Sequence, residues 1–244
     1  NLNLGEKMSG NILNVNQKSH VEYLIRKGIL SPLDDHRLHI ENGYVLVTCG
    51  DADQIMNIFI ENGRVCATHR GDSRLHMITM NGGPVRLDNL HPLNQVWRSS
   101  LVEKYFEIVS SCILKKMETV VLIPHAVCGL ENLMAREIDD SLTATVRTKY
   151  LLKSCVKNPD FMNFVLSLMD SQDRLSTEAK DFAHELQFPR KFKVAIFPQF
   201  DLGEDGKIMK FLSGRNWKKY VGKARFADTN NPEIVLCTIP NIVK

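Results

Sequence analysis

The feature that most constrains this chain is the alternation of short apolar runs with long amphipathic stretches. The runs "YVLVTC" from Tyr44, "TVVLIP" from Thr119 and "FKVAIFPQF" from Phe192 have the composition of buried strands. Segments with apolar residues at helical spacing lie between them. This order of strand, helix and strand builds a parallel sheet covered by helices on both faces. The sequence therefore predicts an α/β fold with a mostly parallel central sheet flanked by helices.

Several helices are predicted between and around these strands. Ser19, with Glu22 three residues later, has the pattern of a capping box at the start of an N-terminal helix. "SSLVEKYFEIVSSCILKKM" is predicted as an amphipathic helix of about five turns. A long helical region is predicted through "NLMAREIDDSLTATVRTKYLLKSC" and "PDFMNFVLSLMD", and a shorter helix is predicted after a capping serine at Ser176. Further strands are predicted at "GRVCATH" and "RLHMITMNGG", and "DLGEDGKIMKF" is predicted as a turn leading into a strand.

The length of 244 residues is enough for one large domain with a full core. We expect residues 1–43 to form an N-terminal helical arm and residues 44–244 to form the α/β domain. The six cysteines are widely scattered, which favours metal binding or plain burial over disulfides. His69, His76 and His91 are interpreted as surface histidines without an assigned role.

Charge and hydropathy exclude some classes of protein. The net charge of +3 is mild and no basic block is dense enough for a nucleic-acid footprint, so nucleic acid is not an expected partner. The longest apolar runs are too short to cross a bilayer, and the first residues contain no hydrophobic signal core. From these features a soluble, cytoplasmic protein without a membrane partner is expected.

Two cysteines and a histidine are placed where a ligand site is expected. Cys49 ends one predicted strand, and His125 and Cys128 follow another. Because ligands gather at the carboxyl ends of parallel strands, these residues can converge although Cys49 and His125 are far apart in sequence. Thiolate and imidazole are zinc ligands, and a catalytic zinc keeps three protein ligands and one open position. The alternative is that His125 caps a loop and Cys128 is a small buried apolar residue.

Four segments in order resemble the β-class carbonic anhydrases: "LVTCGDAD", "MITMNGG", "VVLIPHAVCGL" and "KVAIFPQFDLGEDGKIMKF". The resemblance extends over about residues 44–212, with apparent insertions around residues 64–74 and 88–98. It implies a Zn²⁺ cofactor, reversible hydration of CO2 to bicarbonate, and a homodimer in which the N-terminal helix reaches over the partner. The implied zinc ligands are Cys49, His125 and Cys128, and the implied catalytic carboxylate is Asp51. The implied pocket residues are Asn81, Gly82 and Gly83, and Phe197 is a further candidate because it adds an apolar wall.

The chain also departs from the pattern of that family. Asp53 stands where the family has the arginine that locks the catalytic aspartate, and Pro124 stands where it has a glycine. A second acidic residue would let Asp51 move onto the metal as a fourth ligand and close the site. Whether the protein is an enzyme is therefore left open. The alternatives are a non-catalytic family member with a closed structural zinc, acting as a binding or regulatory module, and a hydrolase of carbonyl sulfide or carbon disulfide.

"RGDSR", from Arg70, offers a competing register for the first motif of the family. Arg70 occupies the ligand position in that register, and too few residues remain before Asn81 for the helix that normally intervenes. We therefore prefer Cys49 as the ligand. A further alternative is that Arg70 or Arg74 folds back to replace the missing arginine, but an ordinary polar loop is the simpler interpretation.

Overall fold

The computed structural model describes residues 13–32, 43–50, 74–96, 99–126, 128–171, 175–188, 191–201 and 208–213. Its central sheet has four parallel strands in the order β3–β2–β4–β6. These strands are β2 (Gly43–Cys49), β3 (Arg74–Met80), β4 (Thr119–Ile123) and β6 (Lys193–Ile196). Helices flank the sheet, so the predicted α/β fold class is confirmed.

The two central strands of this sheet are fully enclosed. Every residue of β2 and of β4 is buried, as expected for parallel strands covered on both faces. In the strand register, Thr48 pairs with Ile123 on one side and Cys49 pairs with Met80 on the other. The carboxyl ends of β2, β3 and β4 therefore lie together at one edge of the sheet.

A second sheet of four strands lies beyond that edge, in the order β1–β8–β7–β5. In it β5 and β7 are parallel, whereas β8 is antiparallel to both β1 and β7. Its strands are β1 (Leu30–Pro32), β5 (His125–Ala126), β7 (Gln199–Asp201) and β8 (Ile208–Ser213). The predicted strand before the glycine-containing turn is thus present as β8, and the turn itself lies outside the described residues.

Two prolines lie at breaks between strands, and only the break at Pro198 divides a strand that the sequence predicts as continuous. Pro124 separates β4 from β5, and Pro198 lies between β6 and β7. A proline has no N–H group to donate to a sheet ladder. The chain still runs on beside its neighbour, because the Phe197 N–H donates to Leu122 O and the Gln199 N–H donates to Pro124 O. The prediction of a single strand over "FKVAIFPQF" is therefore wrong.

The N-terminal helix begins earlier than the sequence pattern predicts. Helix α1 spans Val15–Arg26, and Asn14 is its capping residue. The Asn14 side chain accepts a hydrogen bond from the Gln17 N–H, and the Gln17 side chain accepts one from the Asn14 N–H. This reciprocal pair is a capping box. Ser19 lies inside the helix, so the predicted start there is wrong.

The long helical region predicted after residue 132 is broken twice. Helix α4 (Gly129–Leu133) is followed by an irregular segment in which Ala135 has a φ of 49°. Helix α5 (Ile138–Lys157) then ends before Asn158, which caps α6 (Pro159–Asp170). Proline is favoured in the first turn of a helix but not inside one, so Pro159 starts a new helix.

Three more helices complete the described architecture. The two predicted helices after Ser99 and after Ser176 are confirmed, and the Ser176 side chain caps its helix by accepting from the Ala179 N–H. None of the described helices is both long and apolar enough to cross a membrane. The predicted strand "GRVCATH" and the segment of residues 70–73 lie outside the described residues. The helices are α2 (Pro92–Val96), α3 (Ser99–Lys115) and α7 (Thr177–Leu186).

Candidate metal centre

Cys49, His125 and Cys128 lie together at the carboxyl edge of the central sheet. One ligand atom of each residue lies within 4.8 Å of the ligand atoms of the other two. All three side chains are buried, with relative exposures of 6%, 4% and 5%. The structure thus brings together the three residues that were predicted from the sequence as metal ligands.

The strand order explains this convergence. Cys49 is the last residue of β2, and β4 runs parallel beside it up to Ile123. His125 follows after the break at Pro124, and Cys128 immediately precedes α4. The hydrogen bond to Cys49 and burial raise the pKa of the Cys128 thiol, and backbone N–H groups of Leu130 and Glu131, in the first turn of α4, lower it in part. This is the effect expected of a helix N-terminus on a cysteine.

The glycine pair after β3 makes the close approach to Cys49 possible. The Gly82 N–H donates a hydrogen bond to Cys49 Sγ over 3.3 Å. Gly83 has a φ of +55°, and a Cβ there would lie 2.6 Å from the Cys49 backbone nitrogen. Any larger residue at position 83 would therefore push the first ligand strand away. Asn81 is exposed and Phe197 is buried, and a role for these four residues in a substrate pocket stays a prediction.

The two sulfurs share a proton. Cys49 accepts a hydrogen bond from the Cys128 thiol, and this bond outweighs burial, so that the pKa of Cys49 falls to about 4. The nearby His125 and the Gly82 N–H lower the pKa of Cys49 further. The hydrogen bond to Cys49 and then burial raise the pKa of Cys128. The hydrogen bond between the sulfurs thus favours the thiolate form of Cys49, which is the form of cysteine that binds metals.

The donor set and its surroundings fit a zinc ion. Zinc bonds of about 2.3 Å to sulfur and about 2.0 Å to nitrogen put tetrahedral ligand atoms about 3.5–3.8 Å apart. Small side-chain rotations therefore suffice to bring donors that already lie within 4.8 Å into place. Both ring nitrogens of His125 are buried without a hydrogen-bond partner among the described residues. A metal would satisfy one of them.

The sequence interpretation missed a buried polar network beside Cys128. Glu131, in the first turn of α4, accepts hydrogen bonds from Arg136 Nε at 2.7 Å and Ser141 Oγ at 3.3 Å. Its other oxygen lies 3.0 Å from His91 Nε2. Burial acts to raise the pKa of Glu131, but the bond to His91 and the charge of Arg136 outweigh it, so the pKa is lowered.

The interpretation of His91 as a surface residue is wrong, because its side chain is fully buried. His91 belongs to a polar turn, and a polar turn gives no sequence signal of burial. The acidic partner lies 40 positions away in the chain. Only the contact with α4 in the folded protein shows that His91 is buried beside an acidic residue.

Several predicted site features lie outside the described residues. These are Asp51, the departure at Asp53 and the segment around Arg70. The proposed catalytic role of Asp51 therefore stays a prediction.

Comparison with known proteins gives a distant structural likeness. No protein-family model matches the chain, and no curated protein matches it. Among solved structures, the chain is similar to a tetrameric β-carbonic anhydrase from the filamentous ascomycete Sordaria macrospora. The likeness covers 80% of this chain and 89% of the other, with 11% sequence identity and a TM-score of 0.28. A TM-score this low transfers no property to this chain, whose α/β fold class rests on its own strands and helices.

Proposed function

We propose that this chain is a zinc protein of the β-carbonic anhydrase type that catalyses the reversible hydration of CO2 to bicarbonate. The observation that carries the proposal is the convergence of one ligand atom each from Cys49, His125 and Cys128 within 4.8 Å, in a buried position. The order of the sequence motifs around these residues supports the same reaction. Three protein ligands would leave one position open, as in catalytic zinc sites.

The residues of the site would have separate roles in metal binding and in catalysis. A bound zinc ion would lower the pKa of a water ligand to about 7 and so supply a nucleophile at neutral pH. Both cysteines would bind as thiolates: the lowered pKa of Cys49 favours that form, and Cys128, whose pKa is raised, would release its proton on binding. Phe197 is buried, and an apolar pocket wall at that residue would favour an uncharged substrate such as CO2 over an ion. We assign to Asp51 the role of a carboxylate that orients the nucleophile by accepting a hydrogen bond.

A second candidate is a structural zinc in a non-catalytic binding or regulatory module. The observation that favours it is Asp53, which stands where the resembling family has an arginine. Without that arginine, Asp51 is free to become the fourth zinc ligand, and a zinc with four protein ligands has no open position. Replacing Asp53 with arginine should then create or raise hydratase activity, and an unchanged rate would contradict this explanation.

The first test combines metal content with CO2 hydration on the same purified sample. We expect one zinc per chain and turnover in stopped flow, both lost in Cys49→Ser. The matched control is Cys112→Ser, which removes a buried cysteine from α3 that is not among the three candidate ligands. Zinc without turnover would favour the structural site, and absence of zinc would overturn both candidates. Assays with carbonyl sulfide and carbon disulfide would separate the hydrolase alternative.

The sequence also leads to proposals for the oligomeric state and the cellular location of the protein. We propose a homodimer, as the sequence resemblance implies, and a cytoplasmic location, as expected from the sequence.

A further inference from the structure

Two buried polar residues, His125 and Gln199, lie on paired strands at the metal centre. Neither Nδ1 nor Nε2 of His125 has a partner within the described part of the chain, and the same holds for Oε1 and Nε2 of Gln199. The relative exposures of the two side chains are 4% and 1%. A buried polar group that lacks a partner costs about 1–3 kcal/mol, so such groups are rare in native proteins. Four such atoms in one place therefore require an explanation.

The strand register makes these two residues direct neighbours. His125 in β5 pairs with Gln199 in β7, and the two strands are parallel. Paired residues on adjacent strands point to the same face of a sheet, and the strands lie about 4.8 Å apart. The Gln199 N–H also donates to Pro124 O over 2.9 Å, which holds the glutamine backbone beside the histidine.

The next pair along the same strands points the other way. Ala126 pairs with Phe200, and both belong to the hydrophobic core. Because successive residues of a strand alternate between faces, His125 and Gln199 share the face opposite to that core contact. An amide at position 199 is therefore directed at the ligand histidine rather than at apolar side chains of the core cluster.

We propose that Gln199 is a positioning residue of the metal site. Its amide oxygen accepts a hydrogen bond from the ring N–H of His125 that does not bind the metal, which fixes the tautomer and the orientation of the ring. This inference rests on the proposed function in that it takes His125 as a metal ligand. Metal-binding histidines almost always donate their second ring N–H to an acceptor, and the sulfur of Cys49, which interacts with His125, is itself a candidate metal ligand.

Neither amide atom bonds the ring in this structure, so the glutamine side chain has to rotate to form this bond between the two paired residues. An amide flip exchanges its oxygen and nitrogen, so the oxygen can face the ring from either starting orientation. The bond satisfies one atom of each residue, and the metal satisfies the second ring nitrogen.

Three variants test the proposal. Gln199→Met keeps the length of the side chain and removes the acceptor, whereas Gln199→Glu keeps an acceptor oxygen. The matched control is Thr48→Val, which also alters a buried, unpartnered polar side chain. Thr48 precedes Cys49 in β2 and therefore points to the opposite face of the sheet. Circular dichroism checks that each variant is folded.

The first measurement is the tautomer of His125 in the metal-free protein, read from its ring nitrogen shifts in ¹⁵N NMR. We expect one tautomer in the wild type, in Gln199→Glu and in Thr48→Val, and a mixture in Gln199→Met. The same tautomer population in Gln199→Met as in the wild type would overturn the proposal, as would a mixture in Gln199→Glu. This comparison needs no bound metal.

The second measurement is zinc affinity by competition with a chromophoric chelator. Loss of a bond of this kind lowers metal affinity about 10- to 100-fold, which is the expected result for Gln199→Met. The affinity of Thr48→Val should equal that of the wild type. An unchanged affinity in Gln199→Met would overturn the positioning role. If the wild type binds no zinc, the proposed function fails, while the tautomer comparison still decides whether Gln199 holds His125.

Discussion

Cys49 is the candidate ligand whose pKa is lowered. Its pKa of about 4 predicts that the metal-free protein contains a thiolate at neutral pH, which is lost as the pH falls through that value. Thiolates absorb in the ultraviolet and thiols do not, so the difference in absorbance between wild type and Cys49→Ser should follow this titration.

The control for this titration is Cys112→Ser. Burial raises the pKa of the Cys112 thiol, so that residue contributes no thiolate at neutral pH. The absorbance of Cys112→Ser should therefore equal that of the wild type. A wild-type signal that appears only at alkaline pH would contradict the shared proton between Cys49 and Cys128.

Gly83 supports the site through its lack of a side chain. In Gly83→Ala, the new Cβ meets the backbone of β2 at 2.6 Å, and the φ of +55° is unfavourable for alanine. A left-handed backbone alone costs about 1–2 kcal/mol, so we expect the free energy of unfolding to fall by at least about that amount. Urea denaturation measures it.

Gly129→Ala is the matched control for that substitution. Gly129 opens α4, and a Cβ there would meet nothing within 4 Å. Alanine is the better helix former, so Gly129→Ala should leave the protein as stable as the wild type or make it more stable. If Gly83→Ala and Gly129→Ala have the same free energy of unfolding, β2 moves away from the new Cβ at position 83 without loss of stability.

Helix α4 is held by the polar network around Glu131. Glu131→Gln replaces a charged acceptor by a neutral one and weakens the bonds from His91 and Arg136. We expect the free energy of unfolding at neutral pH to fall by about 1–3 kcal/mol, as for other buried, charge-assisted bonds. The control is Glu178→Gln in α7, where the exposed carboxylate pairs with Lys116 and no measurable change is expected.

The same network predicts how stability depends on pH. The pKa of Glu131 is lower in the folded protein than its ordinary value of 4.5, so the folded state favours the charged form. Its contribution is fully present above the unfolded pKa and is lost as the pH falls through the folded pKa. As the pH falls from neutral through the folded pKa of Glu131, the difference in the free energy of unfolding between wild type and Glu131→Gln should shrink. If this difference in the free energy of unfolding stays constant over the same range of pH, Glu131 does not have this role.

For the whole molecule, zinc binding should raise stability by mass action. At free zinc of 100 times its Kd, the gain is about 2.7 kcal/mol for a ligand that binds the folded state alone. A chelator should therefore lower the Tm of the wild type and leave that of Cys49→Ser unchanged. Differential scanning calorimetry gives both values, and a Tm indifferent to zinc and chelator would count against a metal site.

The proposed homodimer is tested by analytical ultracentrifugation. We expect a species with twice the mass of one chain. The N-terminal helix is proposed to reach over the partner, and Val15 in α1 is an apolar residue with 78% of its surface exposed. Val15→Glu should shift the equilibrium towards monomer, because it places a charge on the proposed contact. A monomeric wild type would exclude this assembly.

Local pattern was sufficient for much of the fold. The strands ending at Cys49 and before Pro124, and the helix after Ser99, follow from composition and periodicity, which act over neighbouring residues. The meeting of Cys49 with His125 was also expected, because parallel strands end at one edge of a sheet. Boundaries were less reliable: Asn14 rather than Ser19 caps α1, since both residue types cap helices and the flanking pattern fits either start.

The sequence by itself thus determined the α/β order and nominated the two cysteines and the histidine. Only the tertiary structure decided what surrounds them. The breaks at Pro124 and Pro198 move His125 and Gln199 into a second sheet, where they become neighbours. The burial of His91 against Glu131 depends on contacts between segments 40 positions apart. Polar residues in loops have no periodic pattern, so their partners are set by the packing of distant elements and not by local sequence.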